Sequence, residues 1–522
     1  MTVSPQRLRC RAWHGILGAV LMHLVSGCNS SDSSDGPPVA APATPDSAVE
    51  IEPQVRTFCS GCHAFPEPAT FPQDSWAREV QRGYGFYHKS GRTDLKPPRL
   101  QQVIGWYRGQ APPSLEIPPA GAGESPSPIR FERRELARLP IEDGPAVAHL
   151  SCGRAGDNEL RLFACDMRAG VVWLVTPVTD TATPIARVPN PARLVPADLD
   201  SDGREDFIIA DLGSFMPEDH ARGAVWWLRQ ADDQWSCRPL VTGLGRVCDA
   251  EPIDFDLDGD PDLVVAEFGW RETGRILLLE HQGLQDGVPD LKPRVLDPRH
   301  GTIHVPVVDF NVDGAPDFLA LIGQEHEVVE LFENQRNGAF QARRVFQAEN
   351  PAFGSSGIEV VDLDGDGDLD VLYTNGDSLD SSQAKPCHAV RWLENDGRMQ
   401  FAAHEVRRLP GVERALSGDL DGDGDLDIVA VSLLPGGVLK TSAARQFAAV
   451  IWLEQTAPRE FATHVIEYDR CEYLTCALAD WDGDGRLDLL VGQLTDRWNG
   501  PAALAWFRNL GHGEPPGADP TH

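Results

Sequence analysis

Methionine and tyrosine are scarce in this 522-residue chain, at five and six copies, and acidic side chains outnumber basic ones 79 to 46, a formal net charge of −33. That balance argues against binding nucleic acid, or an anionic membrane, through a basic surface. Long apolar runs are missing too. The most apolar stretch, residues 16–25, is broken by His23 and is too short to span a bilayer. No Ser-His-Asp or Cys-His nucleophile pattern, phosphate-cradling glycine loop or HExxH zinc motif is present, so the chemistries those motifs support have no sequence basis here. What is abundant is aspartate, gathered into short loops that bound cations would neutralise.

The N-terminal segment reads as a targeting signal, with Arg7, Arg9 and Arg11 ahead of the apolar stretch. It ends in Val25-Ser26-Gly27-Cys28, which resembles the lipobox of bacterial lipoproteins; an ordinary signal peptide with a chance cysteine is the alternative. The resemblance implies that residues 1–28 are a lipoprotein signal and that Cys28 carries the lipid. The protein would then sit in the bacterial cell envelope, on the periplasmic or outer-membrane side, touching the membrane only through its lipid anchor. In an oxidising compartment Cys152 and Cys165, Cys237 and Cys248, and Cys471 and Cys476 can pair, leaving Cys387 over, or all can stay free thiols.

Composition divides the remainder. Residues 29–47 are rich in Ser, Asp, Pro and Ala and read as a tether, 48–110 as a compact domain, and 111–128 as a second linker. Residues 129–510 repeat themselves, and 511–522 form a polar tail. Six copies of Asp-x-Asp/Asn-x-Asp-Gly-x-x-Asp begin at Asp198, Asp254, Asp309, Asp362, Asp419 and Asp480, 53 to 61 residues apart. Each runs straight into an aliphatic segment such as FIIA, LVVAE or IVAVS. A second motif, such as AVWWL or AVIWL, returns later in every unit and occurs seven times, so a first unit from about Val147 lacks the carboxylates. Four strand-like runs per unit is the count for a propeller blade. The last unit lacks its fourth run, and RFERRELARLP at 130 matches QFAAHEVRRLP at 400. Residues 129–139 are therefore expected to return as the outer strand of the last blade and close the ring. The expected fold class is an all-β, seven-bladed propeller with a small N-terminal all-α domain.

In Asp-x-Asp-x-Asp-Gly, alternate carboxylates aim at one centre and the glycine permits a tight turn, an arrangement that suits calcium. An EF-hand is excluded, because position twelve is Ile209, Val265, Ala320, Tyr373, Ala430 or Val491 inside a strand pattern, where glutamate is required. The loops resemble FG-GAP/VCBS repeats, as in integrin alpha-subunit propellers, over about residues 129–510. The resemblance implies Ca2+ bound between the first two strands of a blade. Its ligands would be Asp198, Asp200, Asp202 and Asp206, then Asp254, Asp256, Asp258 and Asp262, and, with an asparagine departure, Asp309, Asn311, Asp313 and Asp317. Asp362, Asp364, Asp366 and Asp370, Asp419, Asp421, Asp423 and Asp427, and Asp480, Asp482, Asp484 and Asp488 complete the set. Solvated acidic turns without metal are the plainer reading.

Residues 59–63 read Cys-Ser-Gly-Cys-His, the pattern for covalent haem c attachment: two thiols three positions apart reach the porphyrin, and the adjacent His63 reaches the iron. The alternatives are a redox dithiol or half a zinc site, for which no second ligand pair lies nearby. Residues 48–110 resemble a class I cytochrome c, with a helix-like AVEIEPQVRTF before the motif and LQQVIGWYR as the C-terminal helix. No methionine falls within this segment, which departs from the usual distal ligand. His88 is its only other histidine; an open site, Lys89 or a methionine from the propeller are the alternatives.

The loops between strands two and three and between blades emerge on the face opposite the Asp turns. His220, Arg271, His326, Asp377, Lys385, His388, Lys440, Arg445 and Arg470 could converge there over the channel, with His304, or be ordinary solvated charges. Two functions follow. One is electron transfer by the haem, the propeller meeting a redox partner protein or a small-molecule substrate, with a cytochrome-linked oxidoreductase as its enzymatic form. The other is a protein- or glycan-binding adhesion module without catalysis. The propeller motifs do not resemble the tryptophan-docking repeats of quinoprotein dehydrogenases. No nucleic-acid partner is expected.

Overall fold

Seven antiparallel sheets follow one another along the chain in the computed structural model, each running from an inner to an outer strand. The described residues extend from 45 to 512, without 118–123, 137–138, 140–143, 155–158, 178–180, 232–233, 380, 437, 439–445 and 496–502. Cys28 with the whole signal segment, most of the tether, Lys440, Arg445 and nearly all of the tail lie outside them. Blade 1 opens at Val147–Arg154, where the unit without carboxylates was expected. Blades 2 to 6 begin at Pro191, Val247, Thr302, Gly357 and Val412, and blade 7 at Tyr473.

The second strand of a blade is wedged between both neighbouring blades. All six residues of each such strand in blades 2 to 7 are buried, as in Asp262–Glu267 and Asp427–Ser432. That is why these segments read as unbroken aliphatic runs. Outer strands such as Phe340–Gln347 and Phe401–Arg408 bury one face only and alternate. The core is accordingly split into wedges, one between each pair of neighbouring blades. Phe163, Ile209 and Leu228 fill the wedge between blades 1 and 2, and Val390, Trp392 and Ile451 the one between blades 5 and 6. In blade 4 the inner strand is interrupted into Thr302–His304 and Val307–Val308, flanking Pro306, which has no N–H for the ladder.

The ring closes as expected. Ile129–Leu136 pairs antiparallel with Leu504–His512, with Phe131 opposite Asn509 and Leu136 opposite Leu504. Its two ends enter different wedges: Ile129 packs with Trp452 and Tyr473 between blades 6 and 7, and Leu136 with Leu162 and Trp173 between blades 7 and 1. Leu136 is 3 % exposed, so Leu136→Ala should lower stability by about 2–5 kcal/mol. Chemical denaturation of the variant checks this; an unchanged midpoint would show that the closing strand does not hold the ring. Part of the second linker is structured, too. Ser125 N–H donates to Thr463 O at 2.9 Å, and the Tyr468 hydroxyl donates to Glu124 at 2.7 Å, laying this segment along the outer strand of blade 6.

Three helices precede the propeller: α1 (Pro45–Cys59), α2 (Trp76–Lys89) and α3 (Leu100–Gln110). Aromatic rings form their core. Trp76 stacks on Tyr107 at 3.9 Å between centroids, and Phe58 meets Tyr84 at 5.0 Å. The resemblance to class I cytochromes c pointed to α1 and α3, and α2 was not anticipated. The helical unit sits on the propeller face away from the Asp turns. Asn350 donates to the Thr70 hydroxyl and Gln383 to the Ser75 hydroxyl, both at 2.7 Å, and the Arg271 guanidinium lies 5.2 Å from the Phe86 ring centroid. Among the described residues no helix is long and apolar enough to cross a membrane.

All nine described cysteines are free thiols. Geometry explains the lack of the possible disulfides. Cys237 lies on the outer strand of blade 2 and Cys248 on the inner strand of blade 3, opposite ends of a blade's radius. Cys152 and Cys165 are out of register, with Cys152 opposite Leu162 and Cys165 opposite His149.

Candidate functional sites

The Asp turns join inner and second strands, and the same hydrogen bonds recur in them. The first aspartate accepts backbone N–H groups from the fifth and sixth positions: Asp202 and Gly203 donate to Asp198 at 3.1 and 2.9 Å, and Asp366 and Gly367 to Asp362 at 3.1 and 3.0 Å. The glycine is at positive φ, 79° at Gly203 and 84° at Gly314, where a side chain would strain the turn. Oxygens of the first, second and last aspartates approach within 4.8 Å of one another in blades 2, 3 and 5, and those of Asp419, Asp421 and Asp423 do so in blade 6. Buried oxygens of Asp200, Asp364 and Asp480 have no hydrogen-bond partner. Orphaned acceptors converging on one centre suit a hard cation.

The last aspartate does more than close the turn. It opens the second strand, is buried, and uses both carboxylate oxygens on backbone donors. Asp262 accepts from Phe255 at 3.3 Å and from His281 at 2.7 Å; Asp370, Asp427 and Asp488 do the same in their blades. It thereby ties the turn to the third strand. Arginines enter some turns and not others. Arg229 pairs with Asp200 and Asp202 at 2.9 and 3.2 Å, Arg508 with Asp482 and Asp484, and Arg336 with Asp313. The turns of blades 3, 5 and 6 instead carry an extra acid, Asp260, Asp368 or Asp425.

Around Cys-Ser-Gly-Cys-His, α1 ends at Cys59 and the segment after α2 folds back over the motif. Arg92 donates to Gly61 O at 2.8 Å and to Cys62 Sγ at 3.0 Å. A Cβ on Gly61 would stand 2.5 Å from the end of the Leu95 side chain, which would have to turn aside. His63 Nδ1 lies 2.7 Å from Ala64 O. A carbonyl can only accept, so Nδ1 holds the proton and Nε2 keeps the lone pair. Burial pushes the Cys59 thiol up, which disfavours a reactive thiolate there. Trp106 Nε1 and the Tyr107 hydroxyl are buried without hydrogen-bond partners. His88 is exposed in the last turn of α2, with the Tyr87 ring 5.5 Å away.

Among the described residues the expected loop charges have partners of their own: Arg271 stands 3.9 Å from Glu325, and the His326 ring lies 5.4 Å from that of His300. His220 hydrogen-bonds the Ser214 hydroxyl at 2.8 Å, and Lys385 is buried with Nζ donating to Ala352 O at 2.6 Å. His388 is 1 % exposed and accepts from Gly411 N–H, Asp377 accepts from Leu379 N–H, and Arg470 pairs with Glu467 at 3.8 Å. His220 and Asp377 staple their own turns, while Lys385 and His388 tie theirs to the connections before and after blade 5. The channel charge comes from the inner strands. Arg193 of blade 2 lies 2.9 Å from Asp249 and 3.1 Å from Glu251 of blade 3, and His304 of blade 4 lies 3.5 Å from Asp249. Burial, reinforced by Asp249, pushes the Glu251 carboxyl up, and burial drives His304 down to about 4. Arg414 of blade 6 donates to Ile358 O at 2.9 Å, and Glu359 of blade 5 accepts from Ser417 N–H at 2.8 Å. Sequence reasoning missed Arg193, Asp249, Glu251, Glu359 and Arg414; polar residues just before the Asp motifs, in strands the repeat made inner, were the available signal.

No curated protein matches the chain. Among solved structures, crystals of BBS1N in complex with ARL6DN are similar. The one soaked with mercury has 12 % identity, covers 72 % of this chain and 96 % of that one, and has a TM-score of 0.41. The one soaked with lead has 14 % identity, 73 % and 96 % coverage, and a TM-score of 0.37. Saccharomyces cerevisiae Sqt1 is similar at 10 % identity, with 69 % and 83 % coverage and a TM-score of 0.37. Residues 309–373 match the family model of the FG-GAP-like repeat, a stretch that runs from the Asp turn of blade 4 through that of blade 5.

Proposed function

We propose that the protein is an exported, lipid-anchored electron-transfer haem protein of the bacterial cell envelope. Its helical unit would hold haem c on Cys59 and Cys62 with His63 as proximal ligand and His88 as the candidate sixth. Its calcium-stiffened propeller would meet a redox partner protein or a small-molecule substrate. The observation that carries this reading is Cys-Ser-Gly-Cys-His at the end of α1, with the His63 Nδ1 proton engaged by Ala64 O. The engaged proton leaves Nε2 as the metal-binding nitrogen. Both thiols are free, and the unpartnered Trp106 and Tyr107 donors can take the acidic groups of a bound porphyrin. When bound, the haem supplies a one-electron couple. The aromatic core shields one side of the motif from water, and Arg92 sets a positive charge beside it.

The test is a visible spectrum with potentiometric titration on protein from a host competent in c-type cytochrome maturation. A covalent haem with a reversible couple is the expected result; colourless protein with both thiols open to alkylation would overturn it. The FG-GAP-like propeller is consistent with a binding module, so a second reading, a protein- or glycan-binding adhesion module without catalysis, keeps the same fold. Tight glycan or protein binding without reduction of the haem by any candidate substrate would favour it.

The proposed calcium sites should differ between blades. Arg229 and Arg508 compete as internal cations in blades 2 and 7, while blades 3, 5 and 6 carry an extra acid. Calcium should fill blades 3, 5 and 6 first, and Arg508→Ala should tighten the blade 7 turn several-fold. Calorimetric titration checks both; equal affinities before and after the substitution would remove the arginine from the account.

A further inference from the structure

His300, Glu325 and His326 come together on the face that carries the helical unit. His300 lies in the connection from blade 3 to blade 4, while Glu325 and His326 lie in the turn between the second and third strands of blade 4. Those two kinds of loop leave the propeller on the same face, so the fold brings them together. His300 Nε2 is 3.2 Å from Glu325 Oε2, and the His300 and His326 ring centroids are 5.4 Å apart. One potential ligand atom from each of the three lies within 4.8 Å of those of the other two, and all three residues are half-buried.

The scaffold beneath them is firm. Gly301 N–H donates to Phe268 O and Gly323 N–H to Gly301 O, both at 2.8 Å, locking the two loops together. The turn is completed by Glu327, whose buried carboxylate takes Gly354 and Ser355 N–H at 2.9 Å each. Gln324 and Glu327 hold φ of 54° and 46°, left-handed values for side-chain-bearing residues on either side of Glu325 and His326. Such strain persists only where the surroundings enforce it, and it is concentrated at functional sites.

Glu325 faces His300 at 3.2 Å and Arg271 only at 3.9 Å; the Arg271 guanidinium lies over Trp270 at 4.5 Å and Phe86 of α2 at 5.2 Å. Two imidazoles and one carboxylate form a donor set unlike the all-oxygen Asp turns. It suits a divalent transition ion, and three protein ligands leave a coordination position free. We propose that His300, Glu325 and His326 bind a divalent transition ion of zinc's class, with an open position for water or a substrate, beside the contact between propeller and α2. The proposal does not depend on the haem.

The full-length protein, stripped with chelator and returned to saturating calcium to occupy the Asp turns, is titrated with zinc by equilibrium dialysis and elemental analysis. One zinc per chain at micromolar free zinc is expected. His300→Ala, Glu325→Gln and His326→Ala should each weaken it at least tenfold, while His88→Ala leaves it unchanged. Glu325→Gln keeps the shape of the side chain and is the deciding variant if either alanine variant fails to fold. No zinc at micromolar concentration, or binding that Glu325→Gln leaves intact, overturns the assignment. The readout is zinc itself, so colourless protein with full zinc binding would refute the haem reading and leave this one standing.

Discussion

Cys59→Ser/Cys62→Ser protein, made alongside wild type in a host that matures c-type cytochromes, is expected to carry no covalent haem. Wild type should keep its haem through acid and organic extraction; the double variant should lose the whole of that signal. The effect is all-or-none because attachment needs thioether bonds, and no other pair of cysteines at this spacing occurs in the chain. A single Cys62→Ser change leaves only the Cys59 thiol, which burial keeps protonated, and should give a small residue of attached haem. His88→Ala addresses the sixth position. Conversion from a six-coordinate low-spin spectrum to a five-coordinate high-spin one is expected if His88 ligates, and an unchanged spectrum would reassign the ligand.

Calcium removal should have the next largest effect, on stability rather than colour. At a hundredfold excess over its dissociation constant, calcium contributes about 2.7 kcal/mol per site. Stripping six turns should therefore lower Tm by on the order of 10–20 °C. The loss should depend on pH through the last aspartate of each turn. Burial is the largest cause pushing Asp262 and Asp427 up to about 7, and Asp206, Asp317, Asp370 and Asp488 up to about 6. In the unfolded chain these groups titrate near 3.9. Between about pH 4 and pH 7 the folded state therefore holds more protons than the unfolded one, and calcium-free protein loses stability as pH rises through that window. Bound calcium favours the ionised carboxylates, so its stabilisation should be greater at pH 8 than at pH 5. Melting curves with and without chelator at the two pH values check this. An absent chelator effect would mean the turns are held by their backbone hydrogen bonds alone; one larger at pH 5 would uncouple metal binding from these carboxylates.

The blades were legible because a propeller repeats its boundary conditions. Each second strand meets the same apolar walls, so FIIA, LVVAE and IVAVS recur, and each preceding turn needs the same glycine and carboxylates. The closing strand was legible for the same reason, as RFERRELARLP had to satisfy the surroundings that QFAAHEVRRLP satisfies in blade 5. Helix α2 was legible too, although no expectation was built on it: its buried residues, Trp76, Val80 and Tyr84, stand four apart on one face.

Covalent and local features were set by the sequence on its own: the Cys-Ser-Gly-Cys-His spacing, the six aspartate turns, and the seven units with their displaced final strand. Each is decided by residues a few positions apart, or by a pattern that repeats. Which residues meet across blades was decided only by the tertiary structure. Arg193 finds Asp249, and His300 finds Glu325, 25 residues further along, because ring closure fixes which strand ends and loops face one another. The same closure keeps Cys237 from Cys248. Contacts of this kind depend on the angle between neighbouring sheets, and no local run of residues encodes that angle.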